Sequence, residues 1–117
     1  MMNKVMTIAV FCLMILMPTM AHAELRLVDT DSNGYKTYFD TDQIQVADDI
    51  IYVRVVGVDP SGNKILDIIE RFKGSDDGND ILFSYQVNNG YSDWRSIQEV
   101  PAQMKIFKAL YDYAMEK

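Results

Sequence analysis

Acidic and amide side chains alternate in residues 29–40, DTDSNGYKTYFD, with the spacing of a calcium-binding loop. Positions 1, 3, 5, 6 and 12 of such a loop are occupied, in order, by Asp29, Asp31, Asn33, Gly34 and Asp40. Oxygen ligands at alternate positions converge on a hard cation when the loop wraps around it. One hypothesis is therefore a weak calcium site, of the kind that extracellular calcium concentrations fill.

The surroundings of this segment favour a β-hairpin turn instead. Apolar and polar residues alternate before it, in residues 25–28, and after it, in residues 35–39, whereas an EF-hand loop lies between two helices. Position 12 holds Asp40, where the longer glutamate is usual. Because Asp, Asn and Gly are common in tight turns, we expect a hairpin that turns near Asn33 and Gly34.

The first 23 residues have the organisation of a cleavable secretory signal peptide. A short basic start precedes an apolar run, residues 5–17, and the small residues Ala21 and Ala23 stand before the expected cleavage at Glu24. The run is shorter than the roughly 20 residues that span a bilayer. We therefore expect an exported protein, in the periplasm, at the cell surface or in the medium, with no membrane span after cleavage.

Cleavage removes two residue types on which much enzyme chemistry depends. The only cysteine, Cys12, and the only histidine, His22, both lie in the leader. The exported chain then lacks thiol nucleophiles, histidine bases, serine–histidine triads and ordinary zinc or iron ligands. We expect a protein that is not an enzyme and that has no cofactor, with calcium as the one alternative.

The charge of the exported chain bears on its partners. The chain has 11 Lys and Arg and 17 Asp and Glu, and only Lys4 of these lies in the leader, so the exported charge is 10 − 17 = −7. Nucleic acids and anionic lipids are bound by clustered lysines and arginines. The expected partner is therefore a protein and not a nucleic acid, while the oligomeric state stays open.

Strand patterns dominate the first two thirds of the exported chain. Residues 50–58 carry apolar side chains on both faces, which predicts a central strand. Residues 65–72 also fit a helix, because isoleucines and a phenylalanine recur at helical spacing, but their length and the flanking turns favour a strand. Residues 81–87 alternate and predict a further strand.

The pattern changes to that of a helix at Pro101, a residue suited to a first helical turn. The predicted apolar stripe of this helix contains Met104, Phe107, Leu110, Tyr111 and Ala114. We expect one α+β domain in residues 24–117, with a mainly antiparallel β-sheet of about five or six strands packed by one C-terminal α-helix.

Aromatic residues are the main candidates for contact with a protein partner. Tyrosine and tryptophan bury large areas at interfaces while keeping a polar tip. Alternation exposes Tyr38 and Tyr52, which we regard as possible contacts for a protein partner. Trp94 and Ile97 should lie on opposite sides of their segment, and we interpret Trp94, Ile97 and Pro101 as structural, with Trp94 half-buried where the sheet ends.

Four segments of the chain follow a recognisable order. They are Y-x-x-Y-F-D leading to TDQI, the valine-rich segment 50–58, the long segment 64–73, and DWRSIQEVPAQMKIFKALYDYAM. In this order they resemble the surface-adhesin protein E family of small exported bacterial proteins, over nearly all of residues 24–117. A tryptophan, an isoleucine and a proline introduce the C-terminal helix in that family, and Trp94, Ile97 and Pro101 match them. Members often carry a cysteine pair, which the exported chain lacks.

The resemblance implies an antiparallel sheet packed by a C-terminal helix and, in some members, binding of host extracellular-matrix or serum proteins. We therefore expect a non-enzymatic binding protein of the bacterial cell envelope or surface, adhesin-like in function. One alternative is a periplasmic accessory or inhibitor domain that binds another envelope protein. The other is the weak calcium-binding module.

Overall fold

The computed structural model describes residues 24–116. The predicted signal peptide, with Ala21 and Ala23 at its end, lies outside the described residues, and Glu24 is the first residue described. A seven-stranded antiparallel sheet and one C-terminal helix make up the fold. The predicted α+β class is confirmed, with one or two strands more than expected.

The elements follow one another with short connections. The strands are β1 (Leu25–Thr30), β2 (Lys36–Ala47), β3 (Ile50–Val58), β4 (Lys64–Gly74), β5 (Ile81–Val87), β6 (Gly90–Tyr91) and β7 (Arg95–Ser96). A single 3-10 turn (Ile97–Glu99) leads into the helix α1 (Pro101–Met115). Each of β1 to β5 pairs with the next strand in the chain, and β7 pairs with the part of β5 that β6 leaves free. The sheet is therefore a meander, in which β3 is central as the sequence predicts.

The first hairpin turns where the sequence predicts. The carboxylate of Asp31 accepts hydrogen bonds from the backbone N–H groups of Asn33, at 2.8 Å, and Tyr35, at 3.0 Å. Gly34 follows with a positive φ of 89°, a conformation that a side chain would strain. An aspartate-capped turn with a glycine in the left-handed region connects β1 to β2.

Strand β2 continues well beyond the alternating segment from which it was predicted. Its register with β3 shifts between Phe39 and Ile44, and pairing then resumes as far as Ala47. Residues 41–47 are rich in polar side chains, because only one face of this part of the strand is buried. The register shift is a β-bulge, a distortion that alternation alone does not reveal. Strand β4, for which a helix was the alternative, is confirmed as a strand.

Helix α1 covers one face of the sheet and builds the core there. Its buried residues are Ile106, Leu110 and Ala114. They belong to one cluster with sheet residues Phe39, Ile44, Ile51, Val53, Val55, Phe72, Ile81 and Phe83 and with Ile97. The Phe72 and Phe107 rings lie 5.5 Å apart between β4 and α1. Burying these aliphatic and aromatic side chains, at about 1.5–3 kcal/mol each, is the main stabilising term.

The buried stripe of α1 differs from the predicted one. Met104 is 44% exposed, whereas Ile106 is only 4% exposed. The helix therefore faces the sheet with a stripe turned toward Ile106, Leu110 and Ala114, with Phe107 at its margin. Helical spacing predicts which residues share a face, but the sheet decides which part of an apolar surface is covered.

Two ion pairs connect β1 to α1 and to Glu116, the residue that follows the helix. Arg26 binds Glu116 through two contacts of 2.8 Å, and Lys105 binds Asp29 at 3.2 Å. Both pairs are exposed, so each contributes little to stability. Among the described residues, no helix has the length and apolar character needed to cross a membrane.

Candidate functional site

The sheet has a second face that α1 does not cover, and we call it the open face. In β3, Ile51 and Val53 point into the core, so Tyr52 between them points to the open face. The same alternation in β4 places Arg71 on the open face, opposite the buried Phe72. Side chains on the open face include Tyr38, Gln43, Gln45, Tyr52, Arg54, Ile69, Arg71, Lys73, Ser84, Tyr91 and Trp94.

A stack of cationic and aromatic groups occupies one side of the open face. The guanidinium carbon of Arg71 lies 4.0 Å from the ring centroid of Tyr91 and 4.4 Å from that of Trp94. The ammonium group of Lys73 lies 4.4 Å from the Trp94 ring. We call Tyr91, Arg71, Trp94 and Lys73 the cation stack. Each such contact contributes about 0.5–1 kcal/mol at an exposed site and holds the ring in a defined place.

Hydrogen bonds beneath the cation stack fix the chain that carries Tyr91 and Trp94. Arg71 Nη2 donates to Ser84 Oγ at 3.0 Å, and the Ser84 hydroxyl donates to the carbonyl of Ser92 at 2.6 Å. The backbone N–H of Tyr85 donates to Ser92 Oγ at 3.0 Å. Ser84 is fully buried. The segment between β6 and β7 is therefore attached to β5 by polar contacts that water cannot readily replace.

A separate charged cluster lies further along the open face. Arg54 Nη1 binds the buried carboxylate of Asp40 at 2.8 Å, while Arg54 Nε and Nη2 both bind Asp67 at 2.8 Å. Lys64 binds Asp67 at 2.7 Å. The hydrogen bonds from Arg54 and then Lys64 hold the pKa of Asp67 well below its usual range, and the two carboxylates raise the pKa of Arg54. These charges satisfy one another, so we interpret the cluster as structural.

Between the bulged part of β2 and the short strand β6, the open face forms a cleft of about 340 Å³. It is lined by Gln43, Gln45, Ala47, Tyr52, Ile69 and Tyr91. The Tyr52 and Tyr91 rings lie 6.4 Å apart at an angle of 70°. This volume is at the lower end of the roughly 300–1,000 Å³ found for ligand pockets. Within residues 24–116, the lining combines two aromatic rings with two amide groups and includes no charged side chain.

The two tyrosines that the sequence singled out lie in different places. Tyr52 is half-buried and lines the cleft. Tyr38 is half-buried on the open face, where it pairs across the strands with Leu27 and Val56, and it does not line the cleft. Tyr52 therefore lies beside Tyr91, a residue for which the sequence pattern predicts no role.

The structure does not bring together the predicted calcium ligands. Asp29 binds Lys105, Asp31 caps the hairpin turn, and Asp40 binds Arg54. Pairing of β1 with β2 extends the hairpin, so these oxygens are spread along two strands. Within residues 24–116 there is no cluster of three or more Asp, Glu, His or Cys residues able to hold a metal ion.

The segment before α1 places its two large apolar side chains on opposite faces of the sheet. Ile97 is 8% exposed and belongs to the core, whereas Trp94 is half-buried on the open face. Pro101 begins α1. Trp94 therefore contacts the cations of β4 and lies on the face opposite the helix.

Apart from Trp94 and Tyr52, the residues of the cation stack and the cleft were missed because their partners are distant in sequence. Arg71 and Lys73 alternate with the buried Phe72, and this spacing was a signal for their exposure on one face. It carried no information on contact with Trp94. Gln43 lies within the β-bulge and Gln45 just after it, so the position of both glutamines depends on the bulge.

Comparison with known proteins finds no relative of this chain. No family model, no curated protein and no solved structure matches the chain. The resemblance to the surface-adhesin protein E family therefore stays a prediction based on the residues quoted above.

Proposed function

We propose that this protein is an exported, non-enzymatic binding protein of the bacterial cell envelope or surface, adhesin-like and related to the surface-adhesin protein E family. In this proposal the open face receives a protein partner. The observation that carries it is the combination, on an uncovered sheet face, of the cleft with the aromatic rings of the cation stack.

The composition of the open face supports a binding role. Tyrosine, tryptophan and arginine are enriched at the centres of protein interfaces, since they bury much surface and retain polar contacts. Here Tyr91 and Trp94 pack against Arg71, and Tyr52 lies opposite Arg71 on the neighbouring strand. Rings already held in place lose little conformational entropy on binding, which favours affinity.

Binding to immobilised extracellular-matrix, serum and envelope proteins tests the proposal. We expect Tyr52→Ala to weaken capture of a partner by at least ten-fold, because this substitution removes a wall of the cleft. Tyr35→Ala is the matched control, since Tyr35 is 43% exposed and does not line the cleft. Equal effects of the two substitutions, with both variants folded, would count against a role for the open face.

Protease treatment of intact cells separates the proposal from its alternative. A surface protein should be degraded by added protease, whereas a periplasmic accessory or inhibitor domain should be protected until the outer membrane is opened. Protection combined with capture of an envelope protein would favour the periplasmic domain.

A further inference from the structure

The polar side chains that line the cleft have no hydrogen-bond partners among the residues that the structure describes. The side-chain amides of Gln43 and Gln45 form no hydrogen bond with any residue of the described range 24–116, and neither do the hydroxyl groups of Tyr52 and Tyr91. Gln43 and Gln45 lie on the same face of β2, two residues apart, so their amides point into one space. Four polar side chains are thus free to bind a ligand there.

The glutamine amides and tyrosine hydroxyls of the cleft can form hydrogen bonds with the hydroxyl groups of a ligand. Each glutamine amide supplies two N–H donors and one carbonyl acceptor, and each tyrosine hydroxyl donates and accepts. A sugar hydroxyl also donates and accepts, so it can pair with either part of an amide. The described lining residues carry no charge that could offset the desolvation of an ionised ligand, which favours a neutral ligand.

The apolar part of the lining matches one face of a sugar ring. An aromatic ring has a negative face that attracts C–H groups, and a pyranose presents C–H groups on its flat faces and hydroxyls around its rim. The Tyr52 and Tyr91 rings stand nearly at right angles and so offer two differently oriented surfaces, next to the apolar Ile69. One ligand can therefore contact an aromatic surface and the two amides together.

The cation stack keeps this arrangement in place without a ligand. Arg71 packs against the Tyr91 ring at 4.0 Å, and it is held in turn by Trp94 and Ser84. Arg71 therefore acts as a positioning residue for Tyr91. A preformed wall reduces the entropy lost when a ligand binds.

We propose that the cleft binds a neutral pyranose ring of a glycan, with Tyr52 and Tyr91 packing on its C–H groups and Gln43 and Gln45 binding its hydroxyls. This inference rests on the proposed function, since it names the chemistry that the open face recognises in its partner. A glycan chain of a glycoprotein and a free polysaccharide present the same ring, and the test below distinguishes them.

Titration of the exported protein with methyl glycosides of glucose, galactose, mannose and N-acetylglucosamine, followed by NMR, tests the inference. At least one should shift the side-chain amide signals of Gln43 and Gln45, while glucuronic acid should bind more weakly than its neutral counterpart. Gln43→Ala and Gln45→Ala should each weaken binding about five-fold, the effect of one lost hydrogen bond. Tyr35→Phe is the control and should bind normally.

Three further variants separate the role of the Tyr91 ring from simple unfolding. Tyr91→Phe keeps the ring and removes the hydroxyl, so it should weaken binding less than Tyr91→Ala. Arg71→Met should weaken binding and broaden the Tyr91 ring signals, whereas a purely structural Arg71 would leave the ring signals unchanged in the folded variant. Binding of none of the four glycosides, or binding that the glutamine variants do not alter, overturns the inference.

Removing the glycans of a captured partner tests the glycan inference separately from the proposed binding function. If a partner is still captured through Tyr52 after its glycans have been removed enzymatically, the glycan inference is overturned. The proposed function as a binding protein is then still supported. Loss of capture after deglycosylation identifies a glycoprotein source. Capture of a protein-free polysaccharide carrying the same sugar identifies the other source.

Discussion

Glu70 and Gln103 meet beneath the first turn of α1, where Gln103 Nε2 lies 3.4 Å from Glu70 Oε2. Glu70 is only 3% exposed. Its second oxygen, like the side-chain oxygen of Gln103, has no hydrogen-bond partner within the described part of the chain. Burial raises the pKa of Glu70 to about 7, and the hydrogen bond from Gln103 opposes this only in part. A proton on the carboxyl group supplies a donor where two acceptors lie buried without one.

Stability should therefore fall as the pH rises toward neutrality. The pKa of Glu70 is higher in the folded protein than its ordinary value of 4.5, so folding is favoured by the bound proton. This contribution, about 3 kcal/mol, is complete below pH 4.5 and is lost as the pH rises through about 7. We expect Glu70→Gln, a neutral substitute of the same shape, to be more stable than the natural protein at pH 8 and similar to it at pH 4.

Urea unfolding at several pH values measures this difference. Glu99→Gln is the control, since the Glu99 side chain is 57% exposed and should leave the pH profile unchanged. A Glu70→Gln variant whose stability follows the same pH profile as the natural protein would contradict the assignment.

The buried carboxylate of Asp40 should make Arg54 important for stability. Removal of Arg54 leaves a fully buried charge without its ion-pair partner, and Arg54→Leu should cost about 3 kcal/mol or more. Lys64→Leu should cost less than about 1 kcal/mol, because the Lys64 side chain is 55% exposed where it binds Asp67. Urea unfolding of the two variants compares them directly. The double variant Asp40→Leu with Arg54→Leu should recover part of the stability that Arg54→Leu loses. Equal losses of stability in Arg54→Leu and Lys64→Leu would exclude this explanation.

Trp94 should contribute to stability less than Ile97 does. Trp94→Ala removes two cation–aromatic contacts on the open face. We expect it to lower the free energy of unfolding by about 1–2 kcal/mol. Ile97→Ala opens a cavity in the core and should cost about 3 kcal/mol. Unfolding followed by circular dichroism measures both variants. Unchanged stability of Trp94→Ala together with lost partner binding would make Trp94 a direct contact.

Calcium should leave the melting temperature unchanged. A ligand that binds only the folded state raises the melting temperature, but Asp31 already accepts two backbone hydrogen bonds and Asp40 is engaged with Arg54. Thermal melts with millimolar calcium, and with magnesium as the control, check this expectation. A rise specific to calcium and absent in Asp31→Ala would restore the calcium hypothesis.

Most of the fold could be predicted from local pattern. Alternation located β3 and β5, the length and flanking turns of residues 65–72 located β4, and the turn residues around Gly34 and Gly62 marked two of the hairpins. The second half of β2 was missed because the bulge interrupts its alternation. Glu70 shares its face of β4 with Phe72, so the same alternation already carried the signal for its burial.

Local pattern determined the class of fold, the position of α1 and the expected export of the chain, since each depends on residues close together in sequence. Tertiary structure alone decided that Trp94 stacks on Arg71, that Gln103 covers Glu70, and that Tyr52 and Tyr91 share a cleft with two glutamines. These contacts join residues of different strands, of the segment between β6 and β7, and of α1, which turns and a bulge separate in the chain. The register between strands depends on side-chain packing over the whole sheet. A short stretch of sequence therefore cannot determine it.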